Sequence, residues 1–201
     1  MLTLGMDTSN RYLNLALIKD DKLIASLHKE CFKHQSEEIL PQLDLLLKNN
    51  GIKTSDIDSI VITEGPGSYT GIRIAMTLAK VWAKTKKLKL YTLDSLQLIA
   101  GKVPTTAVYI DARGHRGYVG IFEEGKAMMA DTVFTEDEFK EYHDQHADDE
   151  VRGDLDFLGY HDEMADINQH FVDLKEDWVL VDPIDPLKAK YLKEATEYLI
   201  K

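Results

Sequence analysis

Three short strings in this chain combine residue types that could do chemistry. Asp7-Thr8-Ser9 follows the apolar run that starts at Leu2. Glu64-Gly65-Pro66-Gly67-Ser68-Tyr69-Thr70-Gly71-Ile72-Arg73 lies between a β-branched run, Ile57 to Thr63, and a helical alternation, Ile72 to Lys86. Asp111-Ala112-Arg113 closes a second apolar run, Thr106 to Ile110. Aspartates at strand ends are suited to orienting a metal ion and its phosphates. A helix N-terminus behind a glycine-rich turn offers unpaired amides and partial positive charge to an anion. The spacing fits neither a P-loop nor a dinucleotide fingerprint. By shape alone, Gly65–Gly71 reads first as a compact packing turn that binds nothing.

The other reactive side chains assemble into less. Ser68 and Tyr69 could be nucleophiles, but no base stands near them in sequence. His28 and His34 flank the approach to the first helix, and His115 lies in a hairpin turn. His143 and His146, three apart in an acidic segment, could share a helix face and hold a metal, although solvated histidines are the plainer account. Cys31 is the only cysteine, so no intrachain disulfide forms, and a reducing cytosol is expected.

These strings need a scaffold. Leu2–Asp7, Tyr12–Ile18 and Lys22–His28 read as strands, with Asp20-Asp21 turning between the second and third. A helix is expected over Glu37–Asn49, capped by Ser36, with Leu40, Leu43, Leu46 and Leu47 as its buried stripe. Ile57–Thr63 is a strand and Ile72–Lys86 a helix on which Ala75, Ala79 and Ala83 recur every four residues. Such a stripe serves close intrachain packing or a helix-lined dimer interface. Short helices and loops are expected over the acidic stretch 136–166, and a last helix over Leu187–Leu199 behind Pro183 and Pro186.

Of 201 residues, 44% are apolar, enough for a core, and the net charge of −11 is unevenly placed. Residues 1–100 carry 13 Lys/Arg against 11 Asp/Glu, whereas 101–201 carry 11 against 24. So acidic a second half repels a nucleic-acid backbone, and no direct nucleic-acid binding by this chain alone is expected. No run approaches the roughly 18–20 apolar residues of a membrane span, and no basic signal-peptide region opens the chain. Cytoplasmic residence is the expectation.

The second half repeats the first. At a separation of 104 residues, Asp7 matches Asp111, Leu15 matches Val119, Leu17 matches Ile121, Ile18 matches Phe122 and Lys22 matches Lys126. Two tandem strand-rich halves, 1–104 and 105–201, predict an α/β fold of actin-like (ASKHA), ribonuclease-H-like architecture, its second half small and degenerate. In actin-like kinases a glycine follows the strand-end aspartate by two residues. Here Ser9 and Arg113 stand there, and nowhere do two glycines adjoin to hold an adenosine. Asp7, Thr8, Ser9, Asp111 and Arg113 thus read as a vestigial nucleotide site.

Met6-Asp7-Thr8-Ser9, the string Gly65 to Ala75, Asp111-Ala112-Arg113 and His34 to Pro41 closely resemble the bacterial TsaB (YeaZ-type, glycoprotease-like) family. The resemblance is strong to about residue 125 and resumes at Pro186 to Leu192. It implies a noncatalytic paralogue of TsaD, the subunit that transfers threonylcarbamoyl to the tRNA adenosine beside the anticodon. TsaD-like chains carry a His-x-x-x-His metal pair after the helix that follows Gly-Pro-Gly; Leu93 to Ala100 holds no histidine. The resemblance therefore implies no catalytic residues, no metal and no cofactor of its own. Complex activity would need threonylcarbamoyl-adenylate and ATP through partners. Those partners are a TsaD-like chain and a TsaE-like ATPase, with homodimerisation in isolation. Together with the small and apolar stripes, it places the pairing surface on Leu40, Leu43, Leu47, Ile72, Ala75, Met76, Ala79 and Ala83. An ATP-dependent actin-like kinase acting alone is the competing expectation, with Asp7 and Asp111 on the metal. A protease comes last, for want of a catalytic constellation.

Overall fold

Leu13, Leu15 and Leu17 point to one face of the strand Tyr12–Lys19, and Tyr12, Ala16 and Ile18 to the other, all of them buried. Such a strand lies inside a sheet covered on both sides. The computed structural model describes residues 1–31, 33–160 and 164–192. Its first half runs β1 (Leu2–Asp7), β2 (Tyr12–Lys19), β3 (Lys22–Glu30), α1 (Gln35–Asn49), β4 (Ser59–Thr63), α2 (Tyr69–Lys86), β5 (Lys89–Leu93) and α3 (Ser95–Ala100). The second runs β6 (Thr106–Asp111), β7 (Arg116–Glu123), β8 (Lys126–Ala127), β9 (Thr132–Thr135), α4 (Glu136–Gln145) and β10 (Glu150–Gly153). Then come α5 (Asn168–Asp173) and β11 (Val179–Leu180). Among the described residues no helix is long and apolar enough to cross a membrane.

The first sheet has the order β11-β5-β4-β1-β2-β3, with β1, β4 and β5 parallel and β2 antiparallel between β1 and β3. The second, β10-β6-β7 with β8 and β9 both on β7, starts the same way and stops early. Its third strand is split in two, and after β10 no counterpart of α2 and β5 follows among the described residues. These are tandem actin-like, ribonuclease-H-like halves, the second one reduced. One face of the first sheet packs on α1 and α2; the other packs on α3, α5 and the second half.

The structure corrects several expectations. The hairpin registers are Asp7↔Asn14 in the first half and Asp111↔Gly117 in the second. Spatially, Leu15 therefore corresponds to Tyr118, Leu17 to Gly120 and Ile18 to Ile121. The turn after Asp111 is one residue shorter, and one residue reverses the face on which every following side chain lies. α1 starts behind His34, with Ser36 inside the helix and no side-chain cap bond. α2 starts at Tyr69, three residues before its apolar periodicity, because Ser68 Oγ accepts from the Gly71 amide and caps it there. No helix covers Leu187–Leu192, and 193–199 lie outside the described residues. From Met164 onward the chain wraps the first half: Met164 N–H donates to the Tyr12 hydroxyl, Asn168 Nδ2 to Leu27 O, and β11 pairs with β5. The expected unit 105–201 thus yields its last stretch to the first sheet.

Candidate functional site

The motif turn folds directly onto the end of β1. Ser68 N–H donates to Ser9 O (2.7 Å), the Thr8 hydroxyl donates to Gly71 O (2.6 Å), and Ala75 N–H donates back to Thr8 Oγ1 (3.3 Å). Space there is nil. A Cβ on Gly67 would stand 2.3 Å from Ser9 O, and one on Gly71 would stand 2.1 Å from Thr8 O. Gly65, at φ +115°, faces the carbonyl of Lys190, and its peptide bond to Pro66 is cis. The glycines let two backbones touch. Tyr69, Thr70 and Arg73 face outward, with the Arg73 guanidinium 5.3 Å from the centre of the Tyr69 ring.

Asp7, Thr8 and Ser9 are fully buried beneath this turn. Asp7 accepts from Ser9 N–H (2.9 Å), Thr63 Oγ1 (2.6 Å) and Asn14 Nδ2 (3.0 Å). A buried carboxylate so bonded is satisfied by its own protein. The Ser9 hydroxyl has no hydrogen-bond partner among the described residues, while the Ser9 carbonyl and Cβ lie against Gly67. Asp111 and Arg113 lie in the exposed second hairpin turn, where Arg113 N–H donates to Asp111 Oδ1 (2.7 Å). The Asp111 amide donates to Asp154 Oδ2 (3.0 Å), and Arg11 approaches the same carboxylate at 3.9 Å. Burial pushes the Asp154 carboxyl up from its ordinary value, against the lowering effect of that amide and of Arg11. The first aspartate is bonded to internal donors, and the glycine-rich loop is packed on Ser9.

The open surface lies on the other side of α2. A groove of about 470 Å³ between α1 and α2 is lined mainly by Ile39, Leu40, Ile74, Thr77, Leu78 and Val81, with Ser36, Thr70 and Arg73 at its margins. Leu40 and Val81 are 53% and 52% exposed. Of the eight residues expected to form a pairing surface, only Leu40 lies here. Leu43, Leu47, Ile72, Ala75, Met76, Ala79 and Ala83 are buried in this chain's own core. The reason is steric: small residues let α2 lie close on the sheet, so the alanine stripe faces inward. The outer stripe, Ile74, Leu78 and Val81, was legible as a second apolar repeat at helical spacing. Thr63, Asn14, Arg11 and Asp154, by contrast, carry no motif that would have singled them out.

A family model described as TsaD, tRNA N6-adenosine threonylcarbamoyltransferase, matches residues 28–147. The tRNA threonylcarbamoyladenosine biosynthesis protein TsaB of Bacillus subtilis (strain 168) is 31% identical over 137 residues, 66% of this chain and 60% of that protein's length. Two structures from Pseudomonas aeruginosa share the fold. A protein described as similar to peptidase YeaZ covers 96% of this chain and 99% of its own at TM-score 0.74 and 18% identity. YeaZ itself covers 67% of each chain at TM-score 0.61 and 24% identity. The chain belongs to the family that the TsaD model describes, and its relatives place it among the TsaB/YeaZ members.

Proposed function

We propose that this chain acts in tRNA threonylcarbamoyladenosine synthesis as a noncatalytic scaffold that pairs with a TsaD-like transferase. The observation that carries the reading is a contrast within one helix. Its inner side closes over Asp7, whose carboxylate is fully bonded, while its outer side offers the open apolar groove with α1. Contiguous exposed apolar residues rimmed by polar ones mark a protein-binding face. The pairing face is therefore the outer one, Leu40, Ile74, Leu78 and Val81. A TsaE-like ATPase joins the pair, threonylcarbamoyl-adenylate is the donor, and without its partner the same face closes on a second copy of this chain.

The test mixes the chain with the TsaD-like protein of the same organism and follows mass by light scattering. A one-to-one complex is expected, with transfer to tRNA only when both chains, the ATPase and the adenylate are present. Leu78→Glu puts a charge into the interface and is expected to weaken pairing by about 30-fold or more, some 2 kcal/mol, with an unchanged circular dichroism spectrum. Ala79 suits this test badly, because it is fully buried. A complex undisturbed by Leu78→Glu would move the face elsewhere. Absence of any complex at micromolar concentration would sink the scaffold reading and turn attention to ATP turnover by the chain alone. That kinase reading needs Asp7 on a metal, a role its three internal hydrogen bonds oppose.

A further inference from the structure

The stretch 179–192 crosses the first half as an extended strap held by polar contacts and by Val181, Ile184, Leu187 and Ala189, which pack on the first-half core. β11 adds two rungs to the edge of β5, Val181 N–H donates to Leu90 O (2.9 Å), and Lys190 N–H donates to Glu64 O (2.7 Å). Lys80 Nζ donates to the carbonyls of Asp185 and Leu187 (3.0 Å each), Lys84 pairs with Asp185, and Tyr191 stacks on Tyr69 at 4.9 Å. Val179 and Leu180 are exposed, and Val181, Ile184, Leu187 and Ala189 are only half-buried. Exposed ion pairs and a two-rung ladder hold weakly.

One attachment is of another kind. Lys190 Nζ stands 2.7 Å from Asp94 Oδ2 and 2.5 Å from Asp131 Oδ2. Asp131 is 5% exposed and Asp94 18%, while the Lys190 side chain between them is 41% exposed. Asp94 belongs to the first half, where its other oxygen caps α3 through the Leu96 and Gln97 amides. Asp131 belongs to the second half, just before β9. One ammonium thus ties both halves to the strap. Removing the partly exposed Lys190 ammonium leaves two largely buried carboxylates facing each other, so this attachment outweighs the ion pairs in which both partners are exposed.

We propose that Lys190 is a latch whose insertion between Asp94 and Asp131 seats the C-terminal strap, and that the seated strap shapes the outer surface of the motif turn. Seated, the strap lays the Lys190 carbonyl on Gly65 and walls a groove of about 360 Å³ against α2. Tyr69, Arg73 and Lys80 line it on the α2 side, Leu187, Lys188 and Tyr191 on the strap. Released, the strap takes that wall away without disturbing β1 or β4. This device stands independently of the pairing reading.

The test is hydrogen–deuterium exchange on the full chain, parent against Lys190→Met and Asp131→Asn, with the Asp94 cap left intact. Amides of the strap, at 181 and 190 above all, are expected to exchange about tenfold faster or more in Lys190→Met, while β1 and β4 stay protected. Asp131→Asn is expected to give the same pattern more weakly, and it decides the matter alone should Lys190→Met not fold. Unchanged strap exchange in both variants would overturn the latch. So would uniform acceleration across strap, β1 and β4, which would make the cluster an ordinary contributor to global stability.

Discussion

Asp7 and Asp111 close corresponding strands, β1 and β6, and the two corners were then finished differently. Behind the parallel strand β4, the Gly65–Gly71 turn folds over the end of β1, buries Asp7 and leads into an 18-residue helix. Behind β10, Gly153 packs against the Tyr109 backbone, Asp154 turns back onto the Asp111 amide, and only a short turn at Asp156–Leu158 comes next. The same beginning thus yields a closed core in one half and an exposed corner in the other. The element after the parallel strand decides whether a strand-end aspartate becomes structural or stays at the surface. A helix laid over it removes water and demands internal donors; a short turn does neither.

Substitutions can break this comparison. Gly71→Ala drives a Cβ against Thr8 O, whereas Gly114→Ala, at φ +68° in the second hairpin turn, meets nothing within 4 Å. The first is expected to destabilise by more than about 3 kcal/mol, the second by about 1 kcal/mol, the strain of its left-handed backbone. Similar urea midpoints for the two variants would mean that close backbone packing is not why those glycines stand there. Asp7→Ala orphans three donors and is expected to cost about 3 kcal/mol, against less than about 1 kcal/mol for exposed Asp111→Ala. Equal losses in chemical denaturation would erase the distinction between the corners.

The smallest effect lies where the halves meet. Burial, with the hydrogen bond and charge of Asp131 next, pushes the Asp94 carboxyl up to about 7, only partly offset by Lys190. The folded chain therefore keeps a proton that the unfolded chain releases above its ordinary value near 3.8. The contribution of this group to stability is full below about pH 4 and is lost as pH rises toward about 7. Asp131→Asn removes the neighbouring carboxylate and is expected to flatten that slope, by on the order of 1 kcal/mol between about pH 4 and about pH 7. Parallel stability–pH curves for parent and variant would show that the two carboxyls do not share the proton.

Much of this was legible residue by residue. Period-two alternation in 2–7 and 12–18 and period-3.6 alternation in 37–49 and 72–86 report local geometry, which neighbours along the chain dictate. The Gly-Pro-Gly string could be read as a turn needing close backbone approach, and its spelling pointed to the family. The register of the second hairpin could not be read: a one-residue change in turn length leaves an apolar pattern intact while moving every partner. Nor could the sequence choose between the two apolar stripes of α2, since Ala75, Ala79 and Ala83 suit a close sheet and a close helix equally. The strands of the first half, the body of its two long helices and the family were thus legible in the order of residues, whereas the helix expected over Leu187–Leu192 was not formed. The filled corner at Asp7, the outward stripe of α2 and the Lys190 cluster joining residues 59 and 96 positions apart were decided only in three dimensions. Such contacts depend on where long-range packing sets each backbone, and no local periodicity records that.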